Sequence, residues 1–470
     1  MNHRRLVGID LGIATAHTVR VLDGEGNVVA KRKAWPTAES LTAVETVALA
    51  DCPAGTRLEV VIEPTGPAWL PIAVFFSARG HRVFRVSSQK AADLRRFLSR
   101  HAKSNGIDAD TLARLPLFDP AGLRPLVLPS TERAALDRRV RATDRLTQAG
   151  ADHKRRIKDL ARQLLPMSPL TSELGAADLA VLERYADPNA LTRLGMTRLT
   201  ALITKASHHH QGAERASQWL EAAQASLALY DGHPAVDFAG LAAEVATEVR
   251  LLRATQAELA VHAAEREARY QAVDPDGLAR SLPGLAEVGG PALTACMGDP
   301  ARFGNGKRFR SFTGLTPKAP ETGETDRKGQ PMSKAGSSLL RTTLVRAADT
   351  ARKQDPQLAR IYYLQMTERG KDHLGALCVV AACLAERAWT VMRRGTPYVI
   401  CDTNDQPVTP DQAKAIIAGR WIVPPEIRAR RRSKKTGKAP QKVLEGQSER
   451  GSLPRGTTPP RHRRPVKLTP

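Results

Sequence analysis

The apolar residues of the first 115 positions fall in short runs broken by polar and glycine-rich turns, which predicts alternating strands and helices. Residues 6–10 and 18–22 read as strands, Asp23-Gly24-Glu25-Gly26-Asn27 turns the chain, and residues 28–30 return along it. Strands over 58–62 and 82–86 follow, with helices over 68–78, 89–98 and about 107–115. A hairpin leading into βα units predicts a mixed sheet flanked by helices.

The pattern then changes period. Residues 131–165 are charged and helical, with apolar positions at Leu136, Val140, Ile157, Leu160 and Leu164. A second long helix over 238–271 repeats Val245, Leu252 and Leu259 at sevens, the spacing of a coiled coil. These two helices are expected to pair as an arm or to mediate oligomerisation. Short helices broken by Pro and Gly fill 166–232, and further helices are predicted at 338–353 and 371–394. The expected domains are 1–130 (α/β), 131–275 (helical coiled-coil linker), 276–400 (mostly α) and a tail over 424–470.

Composition adds a partner class. The chain has 470 residues and a formal charge of +23, which favours phosphate-backbone binding with a steep salt dependence. The tail holds 14 Lys and Arg against 3 Asp and Glu, with little apolar surface to bury, and is predicted to be disordered. Aromatic residues make up only 4%, which disfavours base-stacking platforms. Five scattered cysteines without a Cys-x-x-Cys pair argue against disulfides and structural zinc, with Cys378 and Cys383 reading as core. No apolar run of 18 residues and no signal-peptide pattern is present, so a cytoplasmic protein without membrane attachment is expected, nucleoid-associated when acting.

Candidate chemistry sits at strand ends. Asp10 ends LVGID and Glu63 follows LEVVI, and α/β sheets gather such residues in the crevice beyond the strand termini. Carboxylates there hold divalent cations or move protons. The alternative is a turn cap at Asp10 and a plain loop acid at Glu63. In KSNGIDADTLARL, Asn105 and Asp108 share a helical face while Asp110 points about 200° around. Either Asn105 or Asp108 would also serve as an N-cap.

Two further segments qualify. The glycines of SLPGLAEVGG suit a helix-hairpin-helix turn that offers backbone N–H groups to a phosphate, and equally a plain helix connection. Lys307, Arg308 and Arg310, beside Phe309 and Phe312, fit a DNA-facing helix or an ordinary solvated face. The polar loop 317–334 offers Thr322, Thr325 and Ser333, with Ser337 and Ser338 just beyond it. Lys328, Lys334 and Arg341 are its candidate phosphate-binding cations. Composition singles out no one hydroxyl.

GIDLG, VIEPTG and KSNGIDA together resemble the RuvC-like, RNase H-like N-terminal domain of IS110/IS1111-type (DEDD) transposases. LPGL, GDPARF, FRSFTGLTP, ETG and KGQPMSKAGSSLLR resemble their C-terminal transposase domain. The resemblance covers roughly 5–150 and 275–400. It implies Mg²⁺-dependent DNA strand exchange by an oligomer (dimer or tetramer), in some members guided by a structured RNA. It places the metal tetrad on Asp10, Glu63, Asn105 and Asp108, and the nucleophile on Thr322. Two positions depart from the pattern. Asn105 stands where the family carries Asp, removing a negative charge, with Asp110 the alternative acid. Thr322 stands where it carries Ser, and its β-methyl restricts χ1; Ser333 and Ser337 are the alternative hydroxyls. Other readings are an actin-like or sugar-kinase ATPase, for which no second Asp-x-Gly phosphate loop is found, a junction nuclease, and an inactive nucleic-acid-binding relative.

Overall fold

The computed structural model describes residues 4–98, 104–171, 173–318 and 330–431. They form two compact units, one holding the chain up to Gly277 with 290–300, the other holding 278–289 and the chain from Ala301.

The first unit opens with Arg5–Asp10 (β1), His17–Leu22 (β2) and Val28–Ala34 (β3), then Ala38–Leu49 (α1), Leu58–Ile62 (β4) and Trp69–Ala78 (α2). Arg82–Arg85 (β5), Ser88–Leu98 (α3) and Asn105–Phe118 (α4) complete the sheet region. The strand order is β3-β2-β1-β4-β5, antiparallel through the first three strands and parallel from β1 to β4 to β5. The predicted mixed sheet is present, and β3 runs four residues further than its apolar start suggested. Helix α1 carries no strong apolar stripe and was not anticipated.

Both faces of the sheet are covered. Val7, Ile9, Val19, Val60 and Ile62 pack with Leu41, Val44, Ile72 and Phe76 on one side. On the other, Leu6 and Leu22 meet Ala113, while Val61 and Phe84 meet Leu112 and Leu115 of α4. Between them Gly8 leaves room for the α4 backbone itself: a Cβ there would overlap the Ala109 carbonyl oxygen and the Ala113 nitrogen. Glycine is required here for close approach rather than for an unusual φ.

Thr131–Leu164 (α5) follows, then Ala176–Tyr185 (α6), Pro188–Ala206 (α7), Ala213–Tyr230 (α8) and Phe238–Val273 (α9). Helices α5 and α9 pack along each other, as their matching periods predict. Arg139–Glu265 (2.6 Å) and His153–Glu248 (2.7 Å) bridge them. Val245 and Leu252 of the seven-residue repeat are buried, while Leu259 is only half-buried. Helices α6–α8 close around Trp219 with Leu164, Leu182 and Leu199.

The second unit begins with Leu278–Ser281 (α10), and Gly289–Met297 (α11) lies almost wholly in the first. Gly284, in the predicted hairpin, has φ +81° and lies against the Ala347 backbone, so helix packing accounts for it. Gly306–Thr313 (α12), Ser338–Ala351 (α13), Pro356–Thr367 (α14), His373–Arg394 (α15), Pro410–Arg420 (α16) and Pro425–Arg430 (α17) follow. Helix α15 packs against α12, α13 and α14. Among the described residues it alone is long and apolar enough to cross a membrane by length and hydropathy, and in the structure its apolar face is core. Cys378 and Cys383, expected in the core, are half-buried on it. The tail was predicted to be disordered from 424, yet its first residues form α17, which contacts α14; residues 432–470 lie outside the described set.

Asp355 ties this unit together. Fully buried, it caps α14 at Leu358 N (2.9 Å) and accepts from Arg387 Nη1 (3.0 Å) and the Tyr398 hydroxyl. Burial, its largest cause, raises the Tyr398 phenol above its ordinary value. Asp355→Ala would leave Arg387 without its carboxylate and is expected to cost about 3 kcal/mol. Gly8→Ala, which forces α4 off β1, should cost about 3 kcal/mol or more. Denaturant midpoints of the full chain test both, and values within 0.5 kcal/mol of wild type, roughly the scatter of neutral surface changes, would contradict them.

Candidate active site

Strand alternation and the α4 contact decide which acids converge. Leu6 and Gly8 face α4, so Asp10, two residues on, points to the same side. Along α4 the partners run from Ala113 at Leu6 to Ala109 at Gly8, so its first turn, with Asn105 and Asp108, is directed toward Asp10. On the adjacent parallel strand Val61 packs on Leu112 and Leu115, and continued alternation brings Glu63 to that face.

The carboxylates sense one another. Burial is the largest cause raising the Glu63 carboxyl above its ordinary value, and a hydrogen bond from Ser88 opposes it. The negative charges of Asp108 and Asp10 raise it further, and Arg95 partly offsets them. Asp108 is taken by Arg95 Nη1 at 2.8 Å. Among the described residues no three Asp, Glu, His or Cys side chains close into a cluster at metal-ligand spacing. Asp10, Glu63 and Asp108 thus share an electrostatic field.

Local structure settles the remaining candidates. Helix α4 is capped by Ser104, whose Oγ accepts from Ile107 N at 3.3 Å, so neither Asn105 nor Asp108 is the N-cap. Asn105 is exposed in the first turn. Asp110 pairs with Arg114 (2.7 Å), away from the Asn105–Asp108 face. After Asp10 the chain turns tightly, with Gly12 N donating to His17 Nδ1 at 3.1 Å. His17 is buried, and burial lowers its pKa. Arg20 reaches across Gly106 at the start of α4, and Lys33 Nζ donates to Thr18, the register partner of Asp10 (2.8 Å). Sequence reasoning missed Ser88, Arg95, Arg20 and Lys33. None belongs to a motif: strands β2 and β3 bring Arg20 and Lys33 here, and helix α3 brings Ser88 and Arg95.

The donor set is entirely oxygen: three carboxylates and the Asn105 amide. Hard donors of this kind fit Mg²⁺ or Mn²⁺ and do not fit a thiolate- or imidazole-seeking ion.

In the second unit, Thr322, Thr325 and Lys328 lie outside the described residues. The neck of their loop is ordered by bonds between Lys318 N and Pro331 O (2.9 Å) and between Ser333 N and Thr316 O (2.8 Å). Ser337 caps α13 by accepting from Leu340 N (3.3 Å), and Ser333 Oγ lies 3.4 Å from the Gly314 carbonyl oxygen. Arg341 Nη1 donates to the Thr313 and Lys334 carbonyl oxygens at 3.4 and 3.3 Å, which commits it to the neck. Lys334 is exposed with φ +55°. On α12, Lys307 and Arg308 are exposed, Phe309 is core, and Arg310 pairs with Glu386 at 2.6 Å. The helical repeat explains the split, since Phe309 and Thr313 share the inward face.

Glu63→Gln removes one of three repelling charges while keeping an acceptor for Ser88. In chelator-treated protein at neutral pH it is expected to raise the thermal midpoint. The gain should shrink as pH falls into the carboxylate range, because a carboxyl with a raised folded pKa is destabilising above that range and relieved by protonation. A lowered midpoint at pH 7 would contradict the repulsion.

Comparison with known proteins points to one family. Residues 7–166 match a family of DEDD transposases described as "Transposase", and residues 276–363 match the "Transposase IS116/IS110/IS902 family". The 43.6 kDa protein of insertion element IS110 from Streptomyces coelicolor is 26% identical over 404 residues, 83% of this chain and 95% of that protein. A Pseudomonas aeruginosa protein described as "Probable family 20 transposase" is 30% identical over 188 residues, 37% of this chain and 53% of the relative. With both family regions present in order, the chain belongs to the IS110-type (IS116/IS110/IS902) family of DEDD transposases.

Proposed function

We propose that this transposase carries out DNA strand exchange at Asp10, Glu63 and Asp108, with Asn105 as a fourth, neutral donor. One observation carries this reading: Asp10 and Glu63 at adjacent strand ends and Asp108 in the first turn of α4 lie near enough that, after burial, the charges of Asp108 and Asp10 also raise the Glu63 carboxyl. Structural acids are commonly paired off, as Asp110 is with Arg114. Carboxylates from separate elements gathered near one another, as Asp10, Glu63 and Asp108 are, suit a site built for cationic partners. A divalent cation held by these oxygens, Mg²⁺ on this proposal, would neutralise charge developing on a transferring phosphoryl group.

The chain's own residues supply the rest. Gly8 seats α4 so that Asp108 faces Asp10, and Ser88 orients Glu63. The nucleophile proposed is the Thr322 hydroxyl, on the strength of the family resemblance. Its oxygen bonds to phosphorus as the phosphorus–oxygen bond to a deoxyribose breaks, and the displaced oxygen takes a proton. Ser333 and Ser337 are weaker candidates because Ser333 serves the loop neck and Ser337 caps α13. Lys307, Arg308 and Lys334, exposed, are the proposed phosphate contacts, with Lys328 from the undescribed loop; Arg310 and Arg341 are already engaged. A structured RNA and further copies of the chain are proposed as partners.

The test mixes purified full-length protein with Mg²⁺, element-end DNA and RNA transcribed from the element's flank. Recombinant product and a protein–DNA adduct are expected. Asp10→Asn should lower product by about a hundredfold or more, and Thr322→Ala should abolish the adduct. Free DNA ends without adduct would instead identify a nuclease. An adduct that survives Thr322→Ala but not Ser333→Ala would move the nucleophile.

A further inference from the structure

The proposed cation site depends on Asp108, yet that carboxylate already has a partner. Arg95, in the last turn of α3, donates to Asp108 Oδ1 at 2.8 Å, and the two side chains are only 24% and 19% exposed. The same guanidinium reaches Glu63 electrostatically. Its neighbour Arg96 is turned away to Asp93, and Asp110 and Asp119 have cations of their own in Arg114 and Lys90. Arg95 is therefore the α3 cation directed into the carboxylate group.

An arginine in this position cannot withdraw by losing its proton, because a guanidinium stays charged in proteins. A divalent cation approaching Asp108 would repel it and compete for the same oxygen. Once displaced, its planar fork suits one other anion that a DNA-processing site receives, the phosphodiester.

We propose that Arg95 is the internal counter-ion of this site, yielding Asp108 to the divalent cation and then holding a non-bridging oxygen of the DNA phosphate. The inference rests on the reading of Asp10, Glu63 and Asp108 as cation ligands. Arg95 occupies the site's charge until metal arrives and stays at the site afterwards, in a second role.

Calorimetric titration of Mn²⁺ into full-length protein without DNA tests the first half. Arg95→Met is expected to bind Mn²⁺ roughly three- to tenfold more tightly than wild type, on the scale of a partly shielded ion pair. Arg95→Gln, which retains a donor for Asp108, should fall between the two and substitutes for Arg95→Met if that variant misfolds. DNA affinity measured in Ca²⁺ over a range of salt tests the second half. The slope of log affinity against log salt should become shallower by about one in Arg95→Met, as for the loss of one phosphate contact. Unchanged or weaker Mn²⁺ binding, or an unchanged salt slope, would overturn the proposal. If Asp10→Asn and Glu63→Gln lose Mn²⁺ while Arg95→Met binds as wild type does, the Arg95 role alone fails. If those acid variants bind Mn²⁺ normally, the cation-site reading fails and takes the Arg95 role with it.

Discussion

The N-terminal unit depends on a contact made by the absence of a side chain. At Gly8 the backbone of α4 lies against β1 where any Cβ would overlap Ala109 and Ala113. Leu6–Ala113 above and Val61–Leu112 beside it keep the helix from sliding. Everything about the acid site follows from that seating. The helix axis is set by packing, so its first turn is carried to the ends of β1 and β4, where Asp10 and Glu63 emerge. Displacing α4 by the width of a methyl group would shift Asp108 along with it, because interiors are packed too densely to absorb the change locally.

The site this creates is in tension with the fold. Burial and two neighbouring carboxylates act against the charge on Glu63, while Ser88 and Arg95 act for it. The apolar core on both faces of the sheet offsets this cost. Arg95 is the internal compromise: it satisfies Asp108 without sealing the site, since the pair remains partly open to solvent.

The second unit solves a different problem, holding the neck of a polar loop. Glycines at 314 and 336 let the chain pass close to itself, and Arg341 stitches carbonyl oxygens across the gap. Arginines read from the sequence as phosphate contacts thus divide into two kinds. Arg310 and Arg341 are spent within the protein, and Arg308, with Lys307, faces solvent. Charge alone cannot make that distinction, because it depends on which neighbour each side chain meets.

Local pattern by itself determined a good deal here. Alternating apolar runs marked the strands, and their ends located Asp10 and Glu63. The helical repeat separated Asp108 from Asp110, matching periods paired α5 with α9, and motif order disclosed the family. Helix α1 was missed because it lacks a strong stripe, and the N-cap was misplaced because Asn105 and Asp108 are as plausible by type as Ser104. Only the tertiary structure decided that Gly8 is a contact surface, that Arg95 takes Asp108, and that the acids share a field. Backbone periodicity is written in neighbouring residues and can be read from them. Pairing between charges is set by the approach of segments distant in the chain, and that approach exists only once the core has packed.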